Sequence, residues 1–273
     1  MARPAAGYRN AAGEPVPGTT DITGRYMDRS RLLYWAFKKG KEGHKNLYDG
    51  VDLNIGTCVH QMAELDLKGA PQADINFYAQ ATLREPEDLE KAQTAFLAFR
   101  KWRDRFHVEP YKQELSLVSE KHQFGGTLDT VAIIRAGHGL VDFKTSTKGE
   151  VYEDHVIQLA GYGILWEENF EGTPLTEGYH LIVLPKEGGD PVHRHWTAET
   201  LKPFRKKFKL YRRAYALESV TTSAAALAGL AVAASPAPSP QPRMPKQLEH
   251  GAGMMSMAEI LRSYGHVKEG VAA

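Results

Sequence analysis

Cysteine occurs once in this chain of 273 residues, at Cys58. A single thiol excludes an intrachain disulfide, a four-cysteine zinc site and a cysteine-ligated iron–sulfur cluster, and it fits a reducing compartment. Net charge is scarce too: 34 Lys and Arg against 33 Asp and Glu leave a formal +1. Bulk charge therefore marks no polyanion binder, and any such surface must come from local clustering. Long hydrophobic runs are missing. The most apolar stretch, Ala224–Ala234, is too short and too alanine-rich to span a bilayer. The N-terminus has no charged start followed by an apolar run, so no signal peptide is expected. These absences lead us to expect a soluble cytoplasmic protein without a membrane partner.

What remains is an ordinary globular composition, 42% hydrophobic and 25% charged. Residues 1–18, rich in Gly, Pro and Ala, read as a flexible N-terminus, disordered or extended. Helices are expected over about 28–39, over 55–67 with Asn54 as cap, and over 86–106, where Ala95, Leu97, Ala98, Phe99, Trp102 and Phe106 form an apolar stripe. Strands follow over 113–118, 127–135 and 140–145, with Phe124-Gly125-Gly126 as a turn or bulge and residues 136–139 as a tight turn. A helix over 152–167, strands over 178–185 and 192–196, and a helix over 199–218 complete the pattern. Asp154 reads as the cap of its helix, beside His155. This order predicts an α/β domain over 19–218, with a mixed central β-sheet flanked by helices. An Ala/Pro-rich linker at 219–249 and an amphipathic tail at 250–273, a candidate surface for a protein partner, close the chain.

Chemistry concentrates in Gly126-Thr-Leu-Asp129, Asp142-Phe-Lys144 and Gln158-Leu-Ala-Gly-Tyr162. Residues two apart on a strand share a face, so Asp142 and Lys144 project together while Phe143 points into the opposite layer. If strand 127–135 pairs with strand 140–145, Asp129 comes to the same edge. Two carboxylates and a backbone carbonyl make the oxygen-rich set that Mg²⁺ or Mn²⁺ prefers. A metal ion makes bound water a nucleophile and stabilises phosphorane-like charge, and a cation beside the phosphate adds to that. Carboxylates nearby favour the ammonium form of Lys144. Water positioning and charge stabilisation therefore suit it better than proton abstraction.

These motifs resemble the RecB-like branch of the PD-(D/E)XK nucleases, which includes phage and CRISPR-adaptation exonucleases. The second motif of that family is matched by Gly126–Asp129, the third by Leu140-Val-Asp-Phe-Lys-Thr, and the following helix by Gln158 and Tyr162. Its upstream histidine is matched in Gly56-Thr-Cys-Val-His60. The match runs over about 56–162, lacks the proline common before the second-motif aspartate, and lacks the iron–sulfur cysteines of some relatives.

The resemblance implies a restriction-endonuclease-like core that cleaves DNA with Mg²⁺ or Mn²⁺ and no iron–sulfur cluster. It implies an exonuclease rather than an endonuclease, acting in recombination, repair or phage DNA processing in a bacterial or phage-infected cell. His60, Asp129, Asp142 and the Phe143 carbonyl would bind metal. Lys144 and Gln158 would be catalytic or orienting, and Tyr162 would line the DNA path. The alternative is a catalytically silent DNA-binding or recombination-accessory protein on the same fold.

Other residues carry weaker readings. On helix 199–218, Phe204, Phe208, Tyr211 and Tyr215 are spaced to pack inward, while Lys206, Lys209, Arg212 and Arg213 offer a phosphate-tracking face. Arg25, Arg29, Arg31, Lys38 and Lys39 can extend it. Glu114 is either an accessory ligand or a surface charge. Glu64 falls on the helical face of His60, although the second histidine of a zincin is missing. His193 and His195 alternate on a strand and raise the separate reading of a histidine/carboxylate metal oxygenase.

Overall fold

The computed structural model describes residues 4–28, 30–41, 43, 51–147 and 149–221. Two short strands, β1 (Tyr8–Arg9) and β2 (Pro15–Val16), pair antiparallel ahead of helices α1 (Thr19–Tyr26), α2 (Ser30–Lys41), α3 (Val51–Leu67), α4 (Gln72–Thr82) and α5 (Pro86–Phe106). Strands β3 (Glu109–Ser119), β4 (Phe124–Ile134) and β5 (Gly137–Ser146) follow, then α6 (Glu153–Asn169), β6 (Gly178–Pro185), β7 (Val192–Trp196) and α7 (Ala198–Thr221).

The five later strands form one mixed sheet in the order β3-β4-β5-β6-β7. Only β5 and β6 run parallel, and the connection between them carries α6, as a parallel crossover requires. Helices α3, α4 and α5 close one face of the sheet over Ala132, Ile134, Val141, Phe143, Ile182 and Leu184. Helices α1, α6 and α7 close the other over Leu128, Leu140, Leu181 and Val183. The expected fold class is observed: a mixed sheet flanked by helices.

Several local expectations differ. Residues 4–18 are not merely extended: Tyr8 and Val16 are buried, and the Tyr8 hydroxyl lies 2.9 Å from Thr127 Oγ1. Phe124-Gly125-Gly126 is no turn but the start of β4. Both glycines are needed for close approach, because a Cβ on Gly125 would stand 2.3 Å from Tyr8 and one on Gly126 2.7 Å from Thr19 Oγ1. The β4–β5 reversal falls at Arg135-Ala136, one step before the glycine-rich stretch, and Arg135 takes φ +59° to make it. Helix α3 begins at Val51, so Asn54 lies inside it instead of capping it. Tyr152, with no side-chain cap hydrogen bond, precedes α6, and Asp154 sits in its first turn. Helix α7 runs past Glu218 to Thr221. The rest of the linker and the tail lie outside the described residues. Among the described residues, no helix is long and apolar enough to cross a membrane.

Candidate active site

The site forms where two neighbouring strands part. The β4–β5 ladder runs from Ile134↔Gly137 to Thr130↔Val141 and ends there. Beyond it β4 stays with β3 as far as Phe124, and β5 stays with β6 as far as Ser146. Asp129 and Asp142 are the first residues inside this fork. The Phe143 N–H, without a strand partner on that side, donates to Asp129 Oδ2 at 2.8 Å. Strand alternation sends the Phe143 ring into the α5 layer, edge-on to Phe99 and Trp102, and leaves Asp142 and Lys144 on the other face. Lys144 Nζ lies 2.7 Å from Asp142 Oδ2.

Helices from both layers reach the fork. From α3, His60 Nδ1 stands 3.5 Å from Asp129 Oδ2. Gly56, one turn earlier, leaves room for Thr145, whose Oγ1 would meet a Cβ there at 3.1 Å. From α6, Gln158 Nε2 donates to the Tyr162 hydroxyl at 2.7 Å and to Thr20 Oγ1 on α1 at 3.2 Å. Tyr162 is a correction to the sequence reading. At 2% exposure it lines no open path; its ring fills the core and its hydroxyl holds Gln158. Burial, and then the charges of Asp142 and Asp129, push its phenol well above the ordinary range.

The two aspartates are buried but unequal. Burial opposes the charge on Asp129, yet His60, Lys144 and the Phe143 N–H outweigh it and hold this carboxyl below its usual range. Burial dominates at Asp142, and the neighbouring Asp129 adds to it. The carboxyl is pushed up to about 6 despite Lys144. Asp129 Oδ1, Asp142 Oδ1 and His60 Nδ1 are buried without a hydrogen-bond partner. Buried carboxylate oxygens left unsatisfied cost about 1–3 kcal/mol or more each, so they call for a ligand.

Among the described residues, no three His, Cys, Asp or Glu side chains form a ready metal cage. Zinc in a structural site takes a closed tetrahedron of protein ligands. Mg²⁺ takes one or two carboxylates and keeps several waters. The unpartnered oxygens of Asp129 and Asp142 fit the second pattern.

Glu114, left open by the sequence, belongs to this neighbourhood. Its neighbours Gln113 and Leu115 pair with Thr130 and Leu128, which sets Glu114 across from Asp129. It holds φ +47° within a strand, a left-handed conformation costing about 1–3 kcal/mol for a non-glycine residue and concentrated at functional sites. Burial, with Asp129 and Glu64, pushes its carboxyl up to about 7.

Folding therefore makes Glu114 and Asp142 hold protons that the unfolded chain releases at lower pH. Their contribution to stability is full below the ordinary carboxyl range and is lost as pH rises through about 6 to 7. Glu114→Gln should raise the melting temperature relative to the parent more at pH 8 than at pH 5. Melts in chelator that show an equal offset at both pH values would contradict the assignment.

Glu64, close enough to Glu114 to raise its carboxyl, pairs with Lys68. Other expected site residues lie elsewhere. His193 Nε2 lies 2.9 Å from Nδ1 of His180, a partner the sequence did not single out, and His195 Nε2 lies 2.8 Å from the Glu177 carbonyl oxygen. The His193 ring packs edge-on against Trp102 and Phe106. Burial lowers His180 to about 3 and His193 to about 4, which suits neutral rings joining β6 to β7. On α7, Phe208 is buried with Phe204, Tyr211 and Tyr215 packed against the same core. Lys206, Lys209 and Arg213 are exposed. Arg212 is not part of that free face: its Nε donates to the Gln123 carbonyl at 2.8 Å and ties α7 to the β3–β4 turn.

No family model matches the chain, and no curated protein matches it. Among solved structures it is similar to a candidate exonuclease from Eubacterium rectale, at 10% identity over 94% of this chain and 88% of that one, with a TM-score of 0.43. It is also similar to the protein SSO0001, at 13% identity over 71% of this chain and 96% of that one, with a TM-score of 0.26. Both scores lie below 0.5, and the functional reading rests on the chain's own residues.

Proposed function

We propose that this protein is a divalent-metal-dependent DNA nuclease of the RecB-like PD-(D/E)XK kind, hydrolysing phosphodiester bonds at the β4–β5 fork. The observation that carries this reading is the pair of buried carboxylates there, with Asp129 Oδ1 and Asp142 Oδ1 unpartnered and the Lys144 ammonium beside them. Nothing in a purely structural ion pair requires a second buried acid with an orphaned oxygen. A hard cation does.

Asp129 and Asp142 would hold Mg²⁺ or Mn²⁺ with the Phe143 carbonyl, and His60 would flank them. When bound, such an ion supplies a water of lowered pKa and a Lewis acid for the phosphoryl oxygens. The chain's own groups do the rest. Held beside Asp142, the Lys144 ammonium keeps a positive charge where negative charge develops on phosphorus. Gln158, whose Nε2 donates to both Tyr162 and Thr20, has its amide oxygen left as an acceptor for orienting a water. Lys206, Lys209 and Arg213 give a near-neutral protein a local phosphate-attracting surface. The preference for exonuclease over endonuclease comes from the RecB-like order of His60, Asp129, Asp142, Lys144 and Gln158, as does a role in recombination, repair or phage DNA processing.

One assay tests the reading. The purified chain is incubated with Mg²⁺ or Mn²⁺ and with end-labelled linear or covalently closed DNA. Degradation of linear DNA with closed DNA spared is expected. DNA binding without hydrolysis under either metal would replace it with the catalytically silent accessory protein.

A further inference from the structure

We propose that Thr20 is a positioning residue of the β4–β5 fork: together with Tyr162 it holds the plane of the Gln158 amide, and the N-terminal segment holds Thr20. The chemical consequence rests on the nuclease reading, and Thr20 joins that site from outside its matched motifs.

A primary amide carries two N–H donors and one accepting oxygen, and its last torsion is soft. At Gln158 both donors are used: Nε2 donates to the Tyr162 hydroxyl at 2.7 Å and to Thr20 Oγ1 at 3.2 Å. One hydrogen bond leaves such an amide free to turn about that torsion. Two, one within α6 and one from α1, hold its plane and leave the oxygen for a water. Gln158 is 8% exposed, so an N–H that lost Thr20 would have little water to replace it. Thr20 is exposed, and its hydroxyl needs no such bond for itself. The bond therefore serves Gln158.

Neighbouring residues keep Thr20 in place. Thr19 is buried, and its Oγ1 donates to the Gly125 carbonyl at 2.9 Å. The Gly125 N–H donates to the Pro17 carbonyl at 2.9 Å, and the Gly18 N–H donates to Asp21 Oδ2 at 2.9 Å. The start of α1 is thereby stitched to β4, the strand that carries Asp129.

One strand thus bears a carboxylate of the fork and, through α1, a support of Gln158. The other support, the Tyr162 hydroxyl, lies within reach of the charges on Asp142 and Asp129. Catalytic groups are sensitive to such supports: a misplacement of about 1 Å can cost about 10²-fold in rate. Because Thr20 acts through Gln158, its loss should appear in turnover rather than in substrate binding.

The test reads the Gln158 side-chain amide by nuclear magnetic resonance in the isotope-labelled full chain in chelator, its two proton signals assigned by their loss in Gln158→Glu. In the parent they should be well separated and slow to exchange with water. Thr20→Val keeps the shape and loses the hydroxyl. It should draw the signals toward those of an exposed glutamine and speed their exchange about tenfold, with the melting temperature within about 2 °C of the parent. Thr20→Ser should hold them as the parent does. That measurement needs no hydrolysis, so it decides the proposal whether or not the nuclease reading survives. With Mg²⁺ and linear DNA, Thr20→Val should lower kcat about tenfold or more and leave KM in place. Thr20→Ser should restore kcat, and Thr20→Val should add nothing in a Gln158→Ala background. Gln158 amide signals unchanged by Thr20→Val would overturn the proposal. So would a kcat loss that adds in full to that of Gln158→Ala, which would mean that Thr20 acts elsewhere.

Discussion

Lys144→Ala should lower Mg²⁺- or Mn²⁺-dependent cleavage of linear DNA by about 10²–10³-fold, the usual effect of removing one preorganised charge-stabilising donor from an active site. Lys144 is the cation 2.7 Å from Asp142, in a fork whose other named side chains, Asp129, His60 and Gln158, include no second lysine or arginine. Its removal also deprives a fully buried carboxyl of a counter-charge. Because that carboxyl is already pushed up to about 6, it can respond by keeping its proton, and the fold should survive. Circular dichroism and a cooperative melt check that point. DNA binding in chelator should persist. Cleavage at the parent's rate by a folded Lys144→Ala protein would sink the mechanism.

The second large effect belongs to the residue between the two charged ones. Phe143→Ala should destabilise the protein by about 3–5 kcal/mol, the range for emptying a buried aromatic site. Phe143 is 3% exposed and meets Phe99, Trp102 and His60 edge-on. For a domain of this size that is a fall in melting temperature of about 10 °C. Activity should drop beyond what unfolding explains. The same residue's N–H fixes Asp129, and a backbone released from its core anchor holds that carboxylate less well. A melt within 2–3 °C of the parent would show that the α5 layer does not pin the fork.

Much of this was legible from spacing alone. Period-two alternation in Leu140–Thr145 places Phe143 inside and Asp142 with Lys144 across from it, and the pairing of the two strands brings Asp129 alongside, although the reversal itself falls at Arg135-Ala136. Helix α5 is long and strongly patterned, and its observed ends match the expected 86–106. Helices α1 and α4 were not legible. Thr19–Tyr26 has eight largely polar residues, and Gln72–Thr82 buries only Ile75 and Ala79, so neither shows a stripe. Their stability comes from tertiary packing, which overrides weak local preference.

The glycines misled for a related reason. Gly125 and Gly126 look like chain reversal, but they are small because Tyr8 and Thr19 lie on them, contacts more than a hundred positions away that local reading cannot see. A helix face gives the orientation of Tyr162 relative to Gln158 but not its depth, and the ring is buried. Glu114 gains its place at the site from register with Asp129 and a left-handed backbone, neither of which residue type reveals.

The docked N-terminal segment also bears on how the molecule assembles. Tyr8 is synthesised before Thr127, 119 positions later, so its seat on Gly125 and its bond to that hydroxyl do not exist until β4 has been made. Until then the segment has nothing to pack against, and β4 has an uncovered stretch where Tyr8 belongs. Closing so long a loop is entropically slow and sets high contact order at one corner of the fold. A segment made well before β4 is therefore among the last to settle, and it settles on the strand that carries Asp129.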